Sequence, residues 1–223
     1  MGYLIYSFMK LYRYQNFIKE SKEDIHSICK KYNIQNYTIN QDGYIDVDGN
    51  VYLSGKGLTE LPLKFGKVGG YFACSNNQLT SLEGSPREVG GRFDCCDNQL
   101  TSLEGSPRSV GGYFYCYRNQ LTSLSGISKY ISKGIDIEIN QLRDVQGIKD
   151  GWRGEVGIEG NPVYEIFKLF PEERWDELIE FLNEYEVIRD GKLVVLQALE
   201  LVFYEMSLEV PEIDQIEGYQ IQY

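Results

Sequence analysis

The chain has a single histidine, His26, in 223 residues. That scarcity removes Ser-His and Cys-His nucleophile pairs from nearly the whole length and leaves no His-rich metal site. None of the five cysteines forms a C-x-x-C pair. Long apolar runs are missing as well. Leu4–Met9 is apolar but far too short to span a bilayer, and Lys10 and Arg13 follow it, so neither a membrane span nor a signal peptide is expected. Positive charge is also in deficit: 22 Lys and Arg stand against 33 Asp and Glu, a net charge of −11. Affinity for phosphates rests on clustered cations, so direct nucleic-acid binding is not expected. The deficit is local. From Trp152 onward there are 17 acidic and 5 basic residues, whereas residues 1–151 carry 16 and 17.

What the chain does have is a period. Val68, Val89 and Val110 open three nearly identical stretches, VGGYFACSNNQLTSLEGSPRE, VGGRFDCCDNQLTSLEGSPRS and VGGYFYCYRNQLTSLSGISKY, spaced 21 residues apart without insertion. A short fixed period means stacked, identical units and therefore a solenoid. Weaker copies keep the register on both sides, through Val51, Leu53, Leu58 and Leu61 before, and Ile135, Ile137, Leu142 and Val145 after. A half-copy from Trp152 brings the expected count to six coils. Within each coil, Phe72-Ala73-Cys74 and its equivalents alternate as a short strand. Gly69-Gly70 and its copies precede that strand, and Pro86 and Pro107 fall on the opposite, mostly irregular arc. Asn77, Asn98, Asn119, Asn140 and Asn161 recur at one position, with Lys56 in coil one. An amide turned into a tight coil must bond to backbone, so these are expected to form a ladder.

The string Phe72-x-Cys74-x-x-Asn77-x-Leu79-x-x-Leu82 is similar to the leucine-rich repeat consensus L-x-L-x-x-N-x-L-x-x-L, with Gly in place of the usual leading Leu. The wording CxNQLTSLEGSP, with GNPVYEIFKLF over Gly160–Phe170, resembles leucine-rich-repeat proteins encoded by bacteriophages. The resemblance covers roughly Ile39 to Lys192. It implies a parallel sheet of about six short strands lining a concave face, a role in protein–protein interaction, and a host protein as partner in a host cytoplasm. It carries no catalytic motif and no cofactor or metal.

The ends are expected to cap the array. Residues 1–46 should contribute a helix from Ser21 to about Tyr32, with Ile25, Ile28, Cys29 and Tyr32 on one face, and a hairpin-like turn at Asp42-Gly43. Residues 47–162 form the array. Residues 163–223 read as an acidic cap, with Asn161 finishing the ladder and N-capping a helix over Val163–Phe170. A second helix follows Pro171, a third spans Leu193–Met206, and a tail follows Pro211. Cys74, Cys95 and Cys116 share the inward strand position and should be free core thiols, while Cys96 should face outward.

Alternation places three outward columns on the concave face, about 24 Å long at ~4.8 Å per strand. They run Asn50, Tyr71, Arg92, Tyr113, Gly134, Glu155; then Tyr52, Ala73, Asp94, Tyr115, Asp136, Gly157; then Ser54, Ser75, Cys96, Tyr117, Glu138, Glu159. Tyr and Arg dominate interface hot spots because they bury large area yet satisfy a polar tip. Tyr52, Tyr71, Arg92, Asp94, Tyr113, Tyr115, Tyr117 and Arg118 are therefore the candidate protein-binding residues. The structural alternative is that stacked tyrosines only stabilise the sheet. Other functional alternatives are an acidic C-terminal region that mimics nucleic acid or docks on a basic protein, and a structural role in a viral assembly. Gly49–Lys56 and Asp46-x-Asp48-x-Asn50 depart from phosphate and calcium loops at required positions. Glu138 and Glu159 are paired carboxylates on a flat open face, which should leave their acidity unshifted, and no enzyme is expected.

Overall fold

A computed structural model describes residues 24–146 and 154–223; Ser21, Leu4–Met9 and the start of the half-copy at Trp152 lie outside them. The chain enters through a helix over 24–31 (α1) and an antiparallel hairpin of Tyr37–Ile39 (β1) and Ile45–Val47 (β2). Gly43, at φ +78, turns that hairpin where Asp42-Gly43 was expected to. Cys29 is buried, with Ile25, Ile28 and Tyr32 packed against the same core, so the helix face is the anticipated one.

The periodic segment then winds as a β-solenoid of about five turns. Each turn contributes two short strands. One set comprises Val51–Tyr52 (β3), Phe72–Ala73 (β5), Phe93–Asp94 (β7), Tyr113–Tyr115 (β9), Gly134–Asp136 (β11) and Glu155–Gly157 (β12). These pair in parallel at constant register: Val51 with Phe72, Phe72 with Phe93, Phe93 with Phe114, Phe114 with Ile135, and Ile135 with Val156. Five 21-residue steps separate six strands, so the sixth expected coil amounts to a closing half-turn. The other set is Phe65–Val68 (β4), Glu88–Val89 (β6), Ser109–Val110 (β8) and Tyr130–Ile131 (β10), which joins β1 and β2 in a second six-stranded sheet. That arc was expected to be irregular. Its strands are mostly two residues long, too short for alternation to reveal them.

Between the two sheets lies one continuous core. Phe65, Phe72, Phe93 and Phe114 pack ring on ring, with centroids 5.0, 5.7 and 5.1 Å apart in succession. Cys74, Cys95 and Cys116 are buried beside them as free thiols, as the register implies. The glycine pairs mark the point of closest approach between coils. A methyl at Gly90 would lie 2.1 Å from the Gly69 carbonyl oxygen, and one at Gly111 would lie 2.2 Å from that of Gly90. Only hydrogen fits there.

The asparagines form the ladder. Oδ1 of Asn98, Asn119, Asn140 and Asn161 accepts the backbone N–H of Leu79, Leu100, Leu121 and Leu142 in the preceding coil at 2.9, 3.0, 3.0 and 3.0 Å. Their Nδ2 groups donate back to the carbonyls of Cys74, Cys95, Cys116 and Ile137, and also to their own coils at Cys95, Cys116, Ile137 and Ile158. Asn77 does the same toward Leu58, Leu53 and Cys74. Lys56 takes part only through its backbone N–H, which donates to Asn77 Oδ1.

One residue before each ladder position the backbone is left-handed: Asn76, Asp97, Arg118 and Ile139 have φ of 55, 50, 52 and 50°, and Gly55 and Gly160 occupy the same place at the two ends. Ile139 is the outlier, because a β-branched side chain is crowded in this conformation.

Beyond the solenoid, Tyr164–Phe167 (α2), a 3₁₀ turn at Glu172–Arg174, Trp175–Glu184 (α3) and Leu196–Glu205 (α4) extend the core through Ile166, Phe167, Trp175, Leu178, Leu199 and Val202. Three expectations are corrected here. The residue capping α2 is Val163, without a side-chain bond; the Oδ1 of Asn161 turns back to accept from Leu142 in the preceding coil, and its Nδ2 donates to Ile137 and Ile158. The start of the third helix is a strand, Leu193–Val195 (β14), which pairs with Ile188–Arg189 (β13) across the Asp190-Gly191 turn. The tail is not free: Gln220–Gln222 (β15) adds to β14 in parallel, and Arg143 Nη1 donates to Gly218 O while Tyr219 Oη donates to Arg143 O.

Two outcomes follow for stability. Asn119→Ala strands the Leu100 N–H and removes one amide donor each from the carbonyls of Cys95 and Cys116, which keep their bonds from Asn98 and Asn140; with one buried group left unsatisfied it should cost about 1–3 kcal/mol. Urea unfolding, with the exposed neighbour Gln120→Ala as a near-neutral control, measures it. Ile139→Asn should raise stability by about 1 kcal/mol, because Asn tolerates the left-handed conformation; the same unfolding curves read the gain.

Candidate functional site

The exposed face of the β3–β12 sheet carries the residues that differ from coil to coil. In-register stacking brings most of them into one cluster. The Arg92 guanidinium lies 5.5 Å from the ring centres of both Tyr71 and Tyr115, and the Tyr115 ring stacks on Tyr113 at 5.6 Å and 16°. Tyr113 Oη donates to a Glu155 carboxylate oxygen at 3.1 Å, and Lys133 Nζ sits 5.8 Å above the same ring. A continuous run of aromatic and cationic groups therefore crosses the face from Tyr71 to Glu155. Arg92 Nε is buried with no hydrogen-bond partner among the described residues, and the two flanking π faces favour the charge of its guanidinium.

Tyr117 and Arg118 extend the cluster sideways. Arg118 Nη1 lies 3.6 Å from Asp97 Oδ1, an exposed pair. Asp94 turns inward enough for its Oδ1 to accept the Cys96 N–H at 3.3 Å. Cys96 itself corrects an expectation. It occupies the outward column yet is 0% exposed, because Tyr117 and Asp94 close over the sulfur. Burial and the Asp94 carboxylate push its thiol far above the ordinary range, and Cys96 together with burial raises the Tyr117 phenol in turn. Tyr52 is 57% exposed and stands apart: its column neighbour is Ala73, a residue too small to bridge to Asp94.

The far third of the face is carboxylate. Asp136 and Glu138 reach over Gly157, where a methyl group would lie 3.1 Å from Asp136 Oδ1 and 3.0 Å from Glu138 Oε1. Desolvation raises the Asp136 carboxyl; desolvation, then Asp136 and Glu159, raise Glu138. The expectation that an open face leaves Glu138 unshifted thus fails, because partial burial removes water from it and the Asp136 and Glu159 carboxylates repel its charge. None of Asp136, Glu138 and Glu159 has an ion pair among the described residues. Nor do the described residues hold three His, Cys, Asp or Glu side chains close enough together for a metal ion.

Lys133 and Glu155 were absent from the sequence-derived set, although Lys133 had a visible signal: it replaces the second glycine of the pair seen at Gly70, Gly91 and Gly112. At this end the face runs into a groove of about 780 Å³ lined by Lys133, Glu155, Glu172, Glu173, Trp175 and Asp176. Among the described residues no helix is long and apolar enough to cross a membrane. Comparison with protein-family models, curated proteins and solved structures finds no match to the chain.

A carboxyl with a raised folded-state pKa is favoured in its neutral form, so its contribution to stability is present below the ordinary carboxylate range and lost as pH rises through the raised value. Asp136→Asn should therefore raise the thermal midpoint near about pH 7 and give no gain near about pH 3, as measured by circular dichroism melts at both.

Proposed function

We propose that this chain is a non-enzymatic interaction module of the leucine-rich-repeat type, which grips a protein partner with the outer face of the β3–β12 sheet. The observation that carries the reading is the Tyr71–Arg92–Tyr115–Tyr113 stack. The inward Phe, Cys and Leu positions, the asparagines and the glycine pairs of the three near-identical coils are accounted for by the core, the ladder and the close approach of the coils. These side chains differ from copy to copy, and they pack against one another before any partner arrives. Rigid Tyr and Arg groups lose little conformational entropy on binding and bury large area, which makes them interface anchors. In support of the repeat-family assignment, each Asn serves the ladder in the way the consensus asparagine would, although Gly stands where that consensus begins with Leu. The flanking helical elements cover the core at the end of the solenoid, as caps would. The likeness to phage-encoded repeat proteins makes a host protein the partner class to test first.

A second reading places the contact on the acidic C-terminal region. It is favoured by the groove at Glu172, Glu173 and Asp176, which are exposed and carry no ion pair among the described residues. Glu177 belongs to structure instead, since Arg174 holds both its carboxylate oxygens at 2.7 and 2.8 Å.

Affinity purification with the tagged chain, followed by quantitative binding to the captured partner, separates the two. Tyr113→Ala with Tyr115→Ala should weaken binding by more than about tenfold, as hot-spot truncations do. Full affinity in that variant, with loss in Glu172→Gln, Glu173→Gln and Asp176→Asn, would transfer the function to the acidic region.

A further inference from the structure

The face is unevenly supplied with its own cations. Three of its tyrosine or carboxylate clusters contain one: Arg92 between Tyr71 and Tyr115, Lys133 over Tyr113 beside Glu155, and Arg118 against Asp97. All three cations are engaged. The C-terminal end of the second and third outward columns repeats the same ingredients without one. Tyr117, Glu138 and Glu159 follow each other down one column, Asp136 stands beside Tyr115 in the next, and no Lys or Arg from the described residues reaches any of these carboxylates. Gly157 contributes no side chain to this corner, so the oxygens of Asp136 and Glu138 overhang an open notch. Ile139, 49% exposed, adds an apolar rim to it. The outward columns, with Asp97, Arg118 and Lys133 beside them, hold six carboxylates against three cations.

We infer that this end of the sheet face takes an arginine- or lysine-bearing protein segment, whose cation occupies between Tyr117 and the Asp136–Glu138–Glu159 carboxylates the place that Arg92 fills between Tyr71 and Tyr115. The inference rests on the sheet face being the interaction surface. Charge complementarity selects the occupant. A nucleic acid or an acidic segment would bring more negative charge to a corner where carboxylates already repel one another, whereas a guanidinium or ammonium relieves that repulsion. Carboxylates too dispersed to chelate a metal ion suit a broad organic cation, and the tyrosine ring adds a cation–π contact. A segment about eight residues long, extended, spans the whole face.

The test uses the full chain and three fluorescent peptides of that length, Arg/Ser, Glu/Ser and Gly/Ser, with fluorescence anisotropy as the readout. The Arg/Ser peptide should bind at least tenfold tighter than the other two and weaken as salt rises from about 50 to about 500 mM. Asp136→Asn with Glu138→Gln and Glu159→Gln should reduce that affinity by about tenfold or more, as should Tyr117→Ala, while the amide variant melts no lower than the parent. Equal binding of all three peptides, or Arg/Ser binding untouched in the amide variant, overturns the inference. If the Gly/Ser or Glu/Ser peptide is preferred and lost in Tyr113→Ala with Tyr115→Ala, the interaction face stands and its basic partner falls. If Arg/Ser binding survives every face substitution but is lost in Glu172→Gln, Glu173→Gln and Asp176→Asn, both fall together.

Discussion

A coil of 21 residues encloses little volume, and its turns place backbone N–H and C=O groups where water does not reach. Meeting that demand is the constraint on which the rest of the structure depends. The buried asparagine of each coil meets it in two directions at once, accepting from a backbone N–H 19 residues earlier and donating to carbonyls 3 and 24 residues earlier. Because the same amide ties a coil both to itself and to its predecessor, it fixes the rise between turns. The phenylalanine stack, the thiol column and the glycine approach then all occur at one spacing. Backbone satisfaction, more than apolar burial, sets this geometry, since apolar side chains tolerate small displacements and hydrogen bonds do not.

Much of this was legible in the sequence because a repeat states each requirement several times. The inward Phe and Cys positions, the ladder and the outward columns all followed from counting in steps of 21, and the structure keeps that count without a slip. What counting cannot show is what neighbouring side chains do to one another. Cys96 points outward by parity, yet Tyr117 one coil later covers it. Asp136 and Glu138 lose water through the company they keep. The C-terminal region has no repeats to average over, so Leu193–Val195 read as the first turn of a helix when its fate was set by two strands, one of them 25 residues further on.

The face itself combines two kinds of electrostatics in one sheet. Toward the N-terminal side, cations are sandwiched by aromatic rings and the charges are internally balanced. Toward the C-terminal side, carboxylates accumulate, with the acidity of Asp136 and Glu138 suppressed by desolvation and, at Glu138, also by its carboxylate neighbours, an arrangement that costs stability in the free protein. The left-handed Ile139 lies beside this second zone and costs stability too. Both unfavourable features sit on the exposed sheet face, while the buried ladder beneath is almost fully satisfied, a distribution in which surface strain does not compromise the scaffold.

The reach of the asparagine bonds has a consequence for how such a chain changes over generations. Each ladder asparagine bonds only within its own coil and to the one before it, so excision or duplication of a 21-residue block leaves the ladder contacts intact. Unequal recombination between near-identical stretches of coding sequence would lengthen or shorten the sheet in steps of about 4.8 Å. Copies made this way start out the same on both sides and are then free to diverge only outward. The three central coils, alike in their inward residues and unlike in the rings and charges they display, have the appearance of that history.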